Sequence, residues 1–198
     1  MTLVNALPKF YSLNFNSANY PDPVAWDSTQ KIAVFLDRVE GWQIGIADLL
    51  SITIPSSGWP VLRILFSYFE MIAKYRDGFT EKGRSAEYFT KGVAWVFEGE
   101  DFFSNKVTSL AEVIYEDGRC SLYHGCSLGK KILLKYDLRV PLCENYEGDG
   151  IVINPKLFSQ FIRRNLYSYV DELRRQSSGT GGLWLTNFEK RFNWESGI

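Results

Sequence analysis

Histidine is all but missing from this sequence: among 198 residues only His124 carries an imidazole. Any acid–base work by an imidazole near neutral pH therefore rests on that one side chain. Cysteine is scarce as well. Cys120, Cys126 and Cys143 cannot all pair within one chain, and the first residues, MTLVNALPKFYSLNF, lack the charged flank and apolar run of a secretion signal. Free thiols in a reducing compartment, and hence a cytoplasmic protein, are expected. No CxxC pair is present, and the His124–Cys126 spacing fits no common structural zinc site, so neither a metal nor another cofactor is expected. No run of eighteen apolar residues occurs, so no membrane-spanning helix is expected. Internal repeats and low-complexity tracts are also missing.

Two glycine-containing stretches fail as nucleotide loops. GCSLGK (125–130) has three residues between its glycines where a phosphate loop has four, and it follows a helical pattern instead of a strand. SSGTGG (177–182) likewise has no strand leading into it. No strand–turn–helix elbow presents a serine nucleophile.

What remains is an ordinary globular composition, 45% hydrophobic and 23% charged, in a chain about one domain long. A domain of this size buries roughly 70% of its unfolded surface, so no disulfide or metal staple is required. Aromatic content is high at 16%, with six tryptophans, which predicts a large core and favours an interface. Net charge is only −1, yet its distribution is uneven. Residues 81–118 hold four basic and eight acidic side chains, whereas residues 119–139 hold five basic groups against Asp137 alone. Residues 151–198 add a further excess that includes Arg163, Arg164, Arg174, Arg175, Lys190 and Arg191. If the two basic segments meet in space, an anionic ligand has a seat; if not, they are solvated helix faces.

Periodicity outlines the fold. After a lead over 1–26, Asp27 reads as a helix cap, and Ile32, Phe35, Leu36, Val39, Trp42, Ile46, Leu49 and Leu50 predict one amphipathic helix over about 28–52, with Gly41 as a bend point. Pro60 suits a first helical position, and the helix predicted over 60–77 is apolar nearly all round, with Arg63, Ser67, Glu70, Lys74 and Asp77 on one stripe. Such a helix belongs at the centre of a bundle. Shorter helices are predicted over 85–97 and 105–124, the second interrupted by Gly118. Residues 130–137 and 148–154 read as an antiparallel strand pair, and Asn154–Pro155 open a last long helix. Residues 177–198 read as a flexible connector followed by a short helix. The expected fold is mainly α: an antiparallel bundle of four to five helices over 27–176, with a small β-hairpin before the last long helix.

The segment YEDGRCSLYHGC carries the chemistry. Arg119 supplies a planar fork of donors suited to a phosphate, and His124 can take a proton from a ribose 2′-hydroxyl or give one to a leaving oxygen. Residues five apart on an unbroken α-helix diverge by about 140°, so the two converge only if the helix unwinds near Gly118 or Gly125 or a second chain completes the site. A plainer alternative pairs Arg119 with Glu116 at i, i+3 on a salt-bridged face. Glu70 also has two readings, as an acid orienting Arg119 or His124 across the bundle, or as the local partner of Lys74.

An Arg–four residues–His element late in a helix of an α-bundle, followed by a basic hairpin and a proline-started amphipathic helix, resembles the HEPN superfamily. RCSLYHG, with an aromatic before His124 and glycine after it, is similar to some bacterial members, as is the apolar FSYFEMIAKY with its embedded acid. The resemblance covers about residues 30–175, and the Arg119–His124 element is its one motif in the strict sense. It implies a homodimer whose two motifs face a shared cleft, and metal-independent RNA cleavage in a toxin, defence or RNA-processing setting. A cognate antitoxin or a nucleotidyltransferase is the kind of partner it implies. On that view Arg119 holds phosphate, His124 is acid and base, Glu70 orients them, and Lys130, Lys131, Arg163 and Arg164 contact the RNA backbone. The chain departs from the pattern at Cys120, where active members usually carry a polar side chain, and at Cys126, where modified toxins carry tyrosine. The second departure argues against control by a nucleotidyltransferase. An inert HEPN-like module that binds a protein or nucleotide is the alternative function.

Overall fold

In a computed structural model, residues 10–20, 22–100, 107–145 and 150–197 are described, and the chain is mainly helical. The expectations for residues 1–9, and for the starts of the helix at 105 and of the strand at 148, lie outside the described residues. Asp27 caps α1 (Ser28–Val39) through a reciprocal box: its carboxylate accepts from the Gln30 amide at 2.8 Å, and the Gln30 side chain accepts from the Asp27 amide at 3.0 Å. The helix does not run straight on. Over Glu40–Ile44 it widens into a π-turn, closed by the Gly45 amide donating to the carbonyl of Glu40, before α2 (Gly45–Thr53) resumes the α pitch. A π-turn inserts one residue and so rotates everything after it by about 100°. Trp42, Ile46 and Leu49, expected on the core face, are instead 49%, 43% and 58% exposed.

The third helix, α3 (Gly58–Asp77), is the axis of the molecule. Val61, Leu62, Leu65, Phe66, Tyr68, Phe69, Ile72, Ala73 and Tyr75 are all buried along it. It starts two residues before Pro60, which is tolerated because the first-turn amides need no helical partner. Gly78, at φ +62°, ends it, with the Phe79 amide donating to the Lys74 carbonyl at 3.0 Å. The most extensive helix contact joins α3 to α4 (Ser85–Val96). There the backbones nearly touch, since a Cβ on Gly92 would lie 1.9 Å from the Phe69 carbonyl oxygen. A segment made of α5 (Val107–Val113), a second π-turn (Ile114–Cys120) and α6 (Ser121–Gly125) follows.

The sheet corrects the predicted hairpin. Three short strands, β1 (Ile132–Leu134), β2 (Leu142–Glu144) and β3 (Ile151–Ile153), lie in the order β1-β3-β2. The two runs read from the sequence are parallel, with Ile132 opposite Ile151 and Leu134 opposite Ile153. The unforeseen β2 pairs antiparallel on the other side of β3. Two runs with a third strand between them in sequence have chain enough to cross over, and parallel pairing needs that length.

Asn154 couples the sheet to α7 (Pro155–Ser177). Its side-chain oxygen accepts from the amides of Lys156 and Leu157, and its amide donates to the carbonyls of Tyr136 and Leu138. The last helix, α8 (Leu183–Ser196), is docked rather than tethered: Phe188 and Phe192 are fully buried, with Phe188 against Phe35 and Tyr75. One core therefore runs from Tyr11 to Phe192. No helix of the described residues is long and apolar enough to cross a membrane.

Helix propensity alone would make Gly92→Ala stabilising by about 1 kcal/mol. The approach of Phe69 reverses the sign, and we expect a loss of more than about 3 kcal/mol, measured by urea unfolding. A neutral or stabilising result would show that the two helices separate without cost.

Candidate functional site

The segment carrying Arg119 and His124 lies across α3, α4 and β1. Gly118 is buried where a side chain would not fit, since a Cβ there would meet the Phe66 ring at 2.6 Å and Ile132 at 3.1 Å. The widened turn is closed by the Ser121 amide, which donates to the Glu116 carbonyl five residues back. The helix thus departs from the α pitch at Gly118, just before Arg119, while Ser121–Gly125, which carries His124, keeps it. Buried Leu122 anchors α6, and Cys126, at φ +53°, ends it. The chain then turns back: the Gly129 amide donates to the Asp117 carbonyl at 2.6 Å, and the Lys131 amide donates to its carboxylate at 3.3 Å. A Cβ on Gly129 would lie 2.1 Å from that carboxylate, so glycine is what lets the loop close. Lys130, exposed, is thereby held beside the segment that carries Arg119.

Tyr123 is the centre of the site. The half-buried Arg119 guanidinium lies 4.8 Å from its ring centroid, and that of Arg63, an exposed residue on α3, lies 4.9 Å away. Arg119 also stands 5.9 Å from the Tyr115 ring. The two cations are within roughly 10 Å of each other, about a Debye length at physiological salt. Among the described residues neither has a carboxylate within 4.0 Å, and the Glu116–Arg119 pair is not formed. Guanidinium groups stacked on a ring keep their in-plane N–H donors free. His124, next in sequence to Tyr123, is exposed and makes no hydrogen bond among the described residues. Burial, with the Cys120 thiol beside it, pushes the Tyr115 hydroxyl up, while the charge of Arg119 opposes that shift.

Three expected members are elsewhere engaged. Glu70 accepts from Lys74 at 2.5 Å and from Ser85 at 2.9 Å, so it does not orient Arg119 or His124; the i, i+4 partner won because Lys74 is the nearest donor on the same stripe. Arg163 is gripped by Glu40, at 3.0 Å, and by Asp48, tying α7 to the π-turn and α2. That pairing occupies the donors that the RNA-contact expectation requires. Arg164 pairs with Glu100 at 2.7 Å while lying over Phe161. Arg63 was not singled out from the sequence. Its signal is its place on the polar stripe of α3, and only the fold reveals that this end of the stripe meets α6. Among the described residues no group of three or more His, Cys, Asp or Glu could hold a metal ion, and the cysteines are free.

Comparison of the chain with protein-family models, curated proteins and solved structures gives no match. The site must therefore be judged on its own geometry.

If one ring holds both guanidinium groups, Tyr123→Leu should cost about 1 kcal/mol, whereas Tyr123→Phe, which keeps the ring face, should be close to neutral. Thermal unfolding of the two variants measures the difference; equal losses would mean that the hydroxyl, not the ring, is what matters.

Proposed function

We propose that the protein is a HEPN-like endoribonuclease that cleaves RNA without a metal ion, through Arg119 and His124. The observation that carries this reading is the pair of guanidinium groups, Arg63 and Arg119, that have no carboxylate partner among the described residues and lie over the ring of Tyr123, the residue before His124 in the sequence. Two such forks offer in-plane donors to the non-bridging oxygens of a phosphodiester, and Lys130 adds a point charge nearby. In the reaction, His124 removes the proton from the ribose 2′-hydroxyl and the 2′-oxygen attacks phosphorus. The bond to the 5′-oxygen breaks, and that oxygen takes up a proton. The products are a 2′,3′-cyclic phosphate and a 5′-hydroxyl, and Arg119 offsets the charge that builds on the phosphoryl oxygens. Lys131 remains a proposed backbone contact; Glu70, Arg163 and Arg164 leave the scheme.

A second reading, binding without cleavage, is favoured by one observation: no side chain among the described residues hydrogen-bonds His124, so nothing fixes its tautomer.

The decisive assay is cleavage of a mixed RNA pool in EDTA by the wild-type chain and by Arg63→Ala, Arg119→Ala and His124→Ala, purified in parallel. The expected result is cyclic-phosphate ends from the wild type, losses of at least about a hundredfold for His124→Ala and Arg119→Ala, and a smaller loss for Arg63→Ala. Equal activity in all four would reveal a contaminant. RNA retention without cleavage, weakened by Arg119→Ala, would establish the binding module.

The same reading includes a homodimer. Trp42, Ile46 and Leu49 form an exposed apolar row, and we assign this row to a second copy of the chain. Sedimentation should give a dimer for the wild type and a folded monomer for Ile46→Glu/Leu49→Glu. A monomeric wild type at tens of micromolar would overturn it.

A further inference from the structure

A second basic feature stands at the other end of α3. Arg76 is thirteen residues along the helix from Arg63, roughly 20 Å at α-helical rise, so it does not belong to the site above. Its guanidinium lies over two indole rings, 4.4 Å from the centroid of Trp95 and 4.3 Å from that of Trp184. Half buried, it has neither a carboxylate nor any other hydrogen-bond acceptor among the described residues. Burial pulls its pKa down, with the more distant Glu98 opposing that shift. A half-buried guanidinium whose N–H groups meet no acceptor among the described residues has donors available to an acceptor that enters from solvent.

Arg76 borders a cavity of about 220 Å³ between α3, α7 and α8, whose walls include Ile72, Asn165, Ser168, Tyr169 and Trp184. Apart from Glu172, the polar groups there can all donate. The Tyr68 hydroxyl donates to the Asn165 side-chain oxygen at 2.8 Å, which fixes the amide so that its two N–H groups remain unused. Ser168 is the exposed member of the lining and marks the mouth. The Tyr169 hydroxyl is buried with no hydrogen-bond partner among the described residues, in a residue only 4% exposed. Glu172 is the one acid in the wall, and both its oxygens already accept from Arg175 or Gln176, which hold its pKa down at about 2.

We propose that this cavity is a binding site for a small organic monocarboxylate, whose carboxylate is held by the in-plane donors of Arg76 and the Asn165 amide and whose apolar body lies against Ile72 and Trp184. A planar fork matches a planar carboxylate in a bidentate pair. Glu172 is already paired with Arg175, so the Arg76 guanidinium is left to balance a single negative charge, which disfavours a dianionic phosphate monoester. The apolar walls and the volume suit a body of a few carbons.

Calorimetric titration of the full chain with benzoate, with butanoate and with inorganic phosphate at constant ionic strength tests it. Saturable binding of a carboxylate at millimolar concentration or below is expected, with phosphate far weaker. Arg76→Lys keeps the charge but loses the fork, and should weaken binding about tenfold or more. Ser168→Leu, at an exposed position, should block the mouth with unchanged thermal stability. Binding of phosphate alone, affinity retained in both variants, or no saturable binding of either carboxylate would each overturn the proposal.

Discussion

The structure depends on hiding α3, a helix with apolar side chains on nearly every face. No single neighbour can cover such a surface, so α2, α4, α7 and α8 all pack on it, and the Arg119 segment crosses its first half. The tightest of these contacts is set by the absence of a side chain: Gly92 lets α4 approach the Phe69 carbonyl. Once α4 is that close, Phe69 meets Phe89 and Phe97 at ring-centroid distances of 5.4 and 6.2 Å. Phe97 in turn stacks on Phe161 of α7 at 4.9 Å. The aromatic surplus in the composition is spent largely here, in a continuous set of edge-on and offset rings.

Much of this was legible in the sequence because helix periodicity is a local signal. The positions of α3, α4 and α7, the Asp27 and Asn154 caps and the closing glycine at 78 follow from residues a few places apart. Helical phase beyond a π-turn was not legible. A window read at 3.6 residues per turn places Trp42, Ile46 and Leu49 with Phe35 and Val39, but the extra residue at Glu40–Ile44 turns them outward. The sheet escaped for a related reason. Strands of three residues carry almost no period of their own, and parallel or antiparallel pairing is decided by the path of the intervening chain.

The site was legible only where its members are close in sequence. Arg119, Tyr123 and His124 share one short segment, and the loop from Cys126 to Lys131 folds back on Asp117 through contacts fourteen residues apart or fewer. The residues that did not belong were misjudged because their partners are remote. Arg163 meets Glu40 and Asp48 across 123 and 115 positions, and Arg164 meets Glu100 across 64. Charge counted along a sequence cannot distinguish a cation waiting for a ligand from one already neutralised in the fold.

That distinction is what the arginines supply once the fold is known. Seven of them lie over aromatic rings among the described residues, and four also donate to an acceptor: Arg38 to the Tyr11 carbonyl, Arg84 to Glu87, Arg164 to Glu100 and Arg191 to the Phe79 carbonyl and Glu195. The other three, Arg63, Arg76 and Arg119, have ring contacts alone. Stacking fixes the plane of a guanidinium at small entropic cost and leaves its rim of N–H groups unspent, whereas an ion pair uses the rim. In a chain with more carboxylates than cations, three ring-bound arginines with no acceptor at all among the described residues are not a consequence of supply. They lie in two places, one at each end of α3, and on their uncommitted donors rest both the ribonuclease reading and the carboxylate site proposed above.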